Sequence, residues 1–211
     1  MSREDLKANI IEREIRRPNI TVVYPEVVGL LPPNLNARHR GVAEKMNQVI
    51  DRMVQRMMQE VGVTNPDLAE MIGTFKVTLN KNGILSIRFE SFSVIRMAAH
   101  PLTIVRALTF NLRTGNVIDL FGLFGVEKGH RRIIGDEIKR QIKTKEIPLI
   151  SEFTRINDDQ EYYLTERALV IFFQRATIAA GAAGILEFPI PYNMLRNIIG
   201  RDCVMEPVLW F

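Results

Sequence analysis

Histidine, cysteine and carboxylate side chains do most protein chemistry, and here they are dispersed. His39, His100 and His130 lie in separate segments, and none has a second His or Cys at metal-ligand spacing. The single cysteine, Cys203, has no nearby His, and there is no Gly-x-Ser-x-Gly elbow. Gly122, Gly125 and Gly129 precede a helix but lack the spacing and the Gly-Lys-Ser/Thr ending of a phosphate loop. The acids form no obvious general acid and base pair. The expectation is therefore a chain with no metal, no cofactor and no catalytic residue, which is not an enzyme.

Two segments stand out as candidate ligand contacts. The first is Arg96-Met97-Ala98-Ala99-His100-Pro101, where small residues lead into a strand. Arg96 and His100 are candidates there, with a hydrogen-bonded structural His as the competing reading. Glu90 lies upstream, and a hydrolase using His100 and Glu90 across a strand bulge is the enzymatic alternative. The second is Arg175 to Gly184, whose small residues permit close approach of backbones or of a ligand; Arg175 is its candidate contact. Backbone packing is the competing reading.

Charge gives one further alternative. With 28 Lys+Arg against 24 Asp+Glu, the net charge of +4 is small and its signs are mixed. Lys128, Arg131, Arg132, Lys139, Arg140, Lys143 and Lys145 gather in one stretch. A solvated helix face is the first reading, and a weak nucleic-acid site on the Lys128–Lys145 helix the second, so nucleic acid is an unlikely partner. One cysteine permits no intramolecular disulfide. The N-terminus has no apolar signal segment, and no apolar run reaches the ~20 residues of a membrane span. As written, the chain is expected in the cytoplasm.

The elements that must position these residues follow from periodicity. Residues 2–17 are ambiguous: Ser2 and Asp5 fit a helix cap and Ile11/Ile15 fit helical spacing, up to Pro18. Ile20 to Val28 reads as a strand. A long amphipathic helix covers Ala37 to Val61, with Val42, Met46, Val49, Ile50, Met53, Met57 and Val61 in one stripe and Gly62 as its stop. Its methionines read first as core, second as a binding surface. Phe75, Val77 and Leu79 alternate into Asn80-Lys81-Asn82-Gly83, and Leu85, Ile87 and Phe89 alternate out, which is a hairpin. Phe92 and Val94 then continue on the other parity, which predicts a bulge near Glu90-Ser91.

A strand spans Leu102 to Leu112, and Val117 to Phe121 returns from the turn at Arg113–Asn116. A helix covers Lys128 to Lys143, and a further short one is expected within Lys145 to Asn157, interrupted at Pro148. Tyr162–Leu164 and Leu169–Phe173 form a hairpin whose second strand is apolar throughout and hence central. Leu186, Phe188 and Ile190 make the last strand, and Pro191 opens a helix carrying Leu195, Ile198 and Ile199. The tail Val204 to Phe211, ending Trp210-Phe211, is apolar and either packs on the body or meets a partner, an oligomer contact included. The fold class is α+β: a mainly antiparallel sheet packed by two or three helices, in two intimately associated subdomains. A soft boundary near Glu70–Thr74 separates residues 1–72 from 73–211, two parts expected to share one sheet and form one compact unit.

In order and spacing these segments resemble a pair of bacterial domains found in RsiV-type anti-sigma factors, the first also being the N-terminal module of the peptidoglycan deacetylase PdaC. The first is carried by Ile20-Thr21-Val22-Val23-Tyr24-Pro25-Glu26-Val27-Val28-Gly29-Leu30 and the helix segment Met46-Asn47-Gln48-Val49-Ile50. The second is carried by Ala99-His100, Leu108 to Gly115, Asp119-Leu120-Phe121, Ala168 to Phe173, Ile178-Ala179, Ala183-Gly184 and Phe188-Pro189-Ile190-Pro191. The resemblance covers Pro18 to Ile199. It assigns residues 1–72 to the PdaC-like segment and 73–211 to the RsiV-like domain. It departs at Met97-Ala98-Ala99-His100-Pro101, where the family has Gly-Gly-Ala-His-Gly. It departs again at Arg175 to Gly181, where the family has Pro-Tyr-Glu-Ile-Ala-Pro-Tyr. The resemblance implies a non-catalytic sensing or wall-binding module, extracytoplasmic in its relatives, with a protein or a cell-wall glycan as ligand.

Overall fold

The computed structural model describes residues 5–33, 41–124 and 129–196. The chain divides into two compact units, Met1–Val117 and Ile118–Phe211. The described residues confirm the α+β class, with two mainly antiparallel sheets and three α-helices.

In the first unit, β1 (Lys7–Arg17), β2 (Ile20–Leu31), β3 (Leu68–Lys81), β4 (Ile84–Ile95) and β5 (Leu102–Asn111) form one sheet in sequence order. The ambiguous N-terminal segment is a strand, and not the helix that Ile11 and Ile15 would allow. Leu6 and Ala8 alternate into the core, and the segment pairs along all of β2, which satisfies the backbone groups on that side. Pro18 sits in the turn to β2 beside Asn19, whose φ of 63° suits an Asn. The boundary read at Glu70–Thr74 falls inside β3, so residues 72 and 73 are consecutive in one strand.

Helix α1 (Val42–Glu60) connects β2 to β3. Met46, Ile50, Val54, Met57 and Met58 are buried against a core that includes Ile87, Phe89, Leu108 and Phe110. The methionine stripe is therefore largely core. Gly62, at φ 87°, ends the helix in a Schellman motif: its N–H donates to Gln59 O at 3.0 Å, and Val63 N–H donates to Met58 O at 2.9 Å. The expected start at Ala37 lies outside the described residues.

The sheet is held open around α1. β2 and β3 run parallel and pair only at Ile20–Val22 with Met71–Gly73. A Cβ on Gly73 would stand 2.7 Å from Val22 Cγ1, so this approach requires glycine. Beyond that point β2 has no strand on this side, and its backbone groups need other partners. Asn47 of α1 supplies them for Val27: its Oδ1 accepts from Val27 N–H at 2.8 Å and its Nδ2 donates to Val27 O at 2.9 Å. Asn80 does the same at the start of β1. It accepts from Ala8 N–H and donates to Ala8 O, each at 2.8 Å. Gly83 N–H adds a bond to Leu6 O at 2.8 Å.

The β3–β4 hairpin turns as its sequence dictates, with Asn82 at φ 55° and Gly83 at φ 85°. The bulge expected at Glu90-Ser91 is absent. Glu90 pairs with Thr74 and Val105, and Ser91 with Gly73 and Ile104, in unbroken register. The irregularities of β3 lie instead at Leu68/Glu70 and Val77/Leu79. Polar residues explain the misreading: buried Ser91 and Ser93 continue the inward face after Phe89, so Phe92 and Val94 simply occupy the opposite face. The return strand expected over Val117–Phe121 shrinks to one bridge, Phe110 to Val117. Asp119 Oδ1 accepts from Gly122 N–H at 2.6 Å and bends the chain into a short 3-10 turn at Phe121–Leu123.

The second unit holds α2 (His130–Thr144), the antiparallel strands β6 (Tyr162–Leu164), β7 (Ala168–Phe173) and β8 (Leu186–Pro191), and α3 (Tyr192–Leu195). β7 is central and buried along its whole length, as its unbroken apolar run predicts. The short helix expected within Lys145–Asn157 does not form. A proline disfavours helical geometry at the residue before it, here Ile147, and Leu149 bridges Ala179 instead. α2 carries two buried polar residues. Arg140 donates to both Glu137 carboxylate oxygens, at 2.8 and 2.7 Å. Gln141 Nε2 donates to Glu137 Oε1 at 2.9 Å and to Pro189 O at 2.7 Å.

Two predictions follow the polar groups. Asn47→Ala leaves Val27 N–H and C=O without their partner and should lower unfolding free energy in urea by about 1–3 kcal/mol. Gln48→Ala, on the exposed face, should change it little. Arg140, with Gln141, holds the Glu137 carboxyl below its usual range. Its contribution is thus fully present above the ordinary glutamate value and is lost as pH falls through the lower folded value. Glu137→Gln should flatten this part of the acid limb in thermal melts taken from neutral to acid pH.

Candidate functional site

The β4–β5 connection carries the first group of candidates. Arg96 through His100 are all exposed, and Met97 is completely so at 101%. Met97 has φ 65°, a left-handed conformation that is uncommon for an ordinary side chain. The loop is anchored at its start, where Arg96 N–H donates to Asp67 O at 2.8 Å and Ala98 N–H to Ile95 O at 3.1 Å.

Glu90 is not brought to His100. It lies opposite Val105, five residues into the chain beyond His100, a separation of about 16 Å along an extended strand. Its carboxylate accepts from Arg88 Nη1 at 2.7 Å. Arg175 belongs to the second unit and is tied into its own segment. Its Nε donates to Gly181 O at 2.8 Å, and a Cβ on Gly181 would stand 3.3 Å from its Nη2. Thr177 Oγ1 donates to Gln174 O at 2.7 Å in the same turn. The small residues here let an arginine lie across the backbone.

The basic stretch is partly committed within the fold. Arg131 pairs with Asp158 and lies 4.0 Å over the Phe121 ring, Arg140 holds Glu137, and Lys145 Nζ donates to Gln141 at 3.2 Å. Arg132, Lys139 and Lys143 are exposed. Lys128, His39, Cys203, Ile198, Ile199 and the Val204–Phe211 tail lie outside the described residues. Among the described residues no three or more His, Cys, Asp or Glu side chains are grouped to hold a metal ion, and no helix is long and apolar enough to cross a membrane.

A polar cleft in the first unit escapes the sequence reading. Arg13, Tyr24, Pro25, Glu26, Asn47 and Asp51 line a cavity of about 110 Å³ between the β1–β2 hairpin and α1. Arg13 is ion-paired with Glu26, which holds its guanidinium above its ordinary pKa. Burial pushes the Tyr24 phenol up, and the nearby Asp51 carboxylate adds to the shift. Arg13 lies opposite Tyr24 in the β1–β2 register, a pairing invisible while residues 2–17 remain ambiguous.

Comparison with known proteins supports the resemblance read from the sequence. Residues 123–193 match DUF3298, described as a protein of unknown function. The chain is 26% identical over 201 residues to the anti-sigma-V factor RsiV of Bacillus subtilis, covering 90% of this chain and 68% of RsiV. A crystal structure of a DUF3298 family member from Bacteroides fragilis superposes with TM-score 0.59 at 12% identity, covering 96% of each chain. One from Pseudomonas aeruginosa gives TM-score 0.55 at 14% identity, covering 92% of this chain and 94% of the other. These two likenesses are of fold. The chain is thus RsiV-like over most of its length, with a DUF3298 match at residues 123–193.

Proposed function

We propose that this chain is a non-catalytic binding and sensing module of the RsiV type, whose ligand is a protein or a cell-wall glycan. The similarity to an anti-sigma factor over 90% of the chain carries this reading. Like the RsiV-type domains it resembles, the module would work outside the cytoplasm.

The β4–β5 loop is the contact surface in this reading, with Arg96 and His100 as the residues that meet the ligand. The exposed left-handed Met97 supports it. Such a conformation costs on the order of 1–3 kcal/mol, and no packing of the side chain offsets it. A hydrolase built on His100 and Glu90 gains nothing from this arrangement, because the sheet holds the two apart. Glu90 and Arg175, already bonded within the fold, would act on the ligand only by supporting its surroundings.

The test uses the full chain, purified muropeptides and the extracellular proteins of the host, with complexes read by native mass spectrometry. A defined complex is expected with the wild type. Arg96→Ala/His100→Ala should weaken it at least tenfold at unchanged melting temperature, while Arg175→Ala should lower stability first. Turnover of the glycan, or no complex with any partner, would contradict the module reading. Binding untouched by the loop variant would move recognition elsewhere.

A further inference from the structure

We infer that the cleft lined by Arg13, Tyr24, Glu26, Asn47 and Asp51 receives one cationic group, the ammonium or guanidinium of a basic side chain on a partner protein. This rests on the binding-module reading for its biological source. The chemistry rests on which lining groups are already committed. Glu26 is neutralised by Arg13, and the Asn47 amide has both its ends on the Val27 backbone. The Asp51 carboxylate and the Tyr24 phenol remain to meet an incoming group.

Asp51 has no ion-pair partner among the described residues. Its helix neighbours three and four positions away are Asn47, Gln48, Val54 and Gln55, so no cation reaches it along α1. Arg13, the cation of the lining, is held by Glu26. The lining therefore carries one net negative charge beside an aromatic ring. An anion would meet Asp51 unfavourably, and a neutral group would gain no ion pair from it. A flat guanidinium or a compact ammonium can contact both the carboxylate and the ring. A space of about 110 Å³ suits the head of one side chain better than a folded segment.

The probe is N-acetyl-arginine amide, whose ends are neutral, compared with the uncharged isostere N-acetyl-citrulline amide and with putrescine. Titrations at low salt are followed by the backbone amide NMR signals of Tyr24, Asn47 and Asp51. Saturable shifts with the arginine probe and none with citrulline are expected. Asp51→Asn should weaken the arginine response at least tenfold. Its remaining spectrum should be unchanged, because Asp51 is exposed and bonds to nothing else described. Equal responses to arginine and citrulline, an unaffected Asp51→Asn, or no response would overturn the proposal. A response to putrescine at least tenfold tighter than to the arginine probe would overturn the protein side chain as source, in favour of a free diamine. Silence of the probe alongside a complex that depends on the β4–β5 loop would remove the cleft and leave the module reading standing.

Discussion

An opened β-sheet must satisfy the backbone groups it exposes, and the first unit depends on how it does so. β2 leaves β3 after three paired residues, because α1 and its buried methionines fill the space between the hairpin and the rest of the sheet. Two asparagine amides then stand in for missing strands, Asn47 on Val27 and Asn80 on Ala8. A primary amide sets an N–H donor beside a C=O acceptor, the same pattern as a backbone residue at a strand edge. Alanine offers neither, and a carboxylate offers no donor. Gly73 completes the arrangement by letting β2 and β3 approach at the one place where they pair.

The same constraint decides which side chains the fold already uses. Side chains on the strands are mostly taken by pairing, core or ion pairs, as Glu90 is by Arg88 and Arg106 by Glu60. The β4–β5 loop and the cleft beside α1 differ: the loop, fixed by the Arg96 N–H bond to Asp67 O, carries exposed Arg96 and His100, and the cleft, fixed by Asn47 on Val27, carries Asp51 and Tyr24. In the second unit the polar groups turn inward instead. Glu137, Arg140 and Gln141 tie α2 to Pro189 of β8, so a stretch that reads first as a solvated helix face serves in part to fix the helix.

Much of the fold was legible because local chemistry and tertiary context agree. Asn82-Gly83 gives its turn, the α1 stripe gives a buried helix ended by Gly62, and Leu169 to Phe173 gives a central strand. The failures share a cause: the deciding partner lies far away in sequence. Ile11 and Ile15 fit a helix until β2 claims the segment, and Phe92 and Val94 imply a bulge until buried serines are allowed on the inner face. Of the candidate contacts, Arg96 and His100 share one segment in the sequence and one exposed loop in the fold, while the bond of Arg175 to Gly181 O leaves no local sequence signal. The cleft was hidden because Arg13, Tyr24 and Asp51 come from three elements, one of them unassigned. Asn47 stands in the sequence only within the helix segment of the family resemblance, and its partner Val27 lies 20 residues away.

Native-state amide hydrogen exchange on the full chain tests most directly the claim that asparagine side chains close the scaffold and leave the β4–β5 loop exposed. The account predicts that Val27 and Ala8 N–H groups, bonded only to asparagine side chains, exchange as slowly as the paired strands around them, while Met97, Ala99 and His100 exchange fast. Val27 and Ala8 exchanging at the rate of the loop would contradict it, since the amides would then not be closing the sheet.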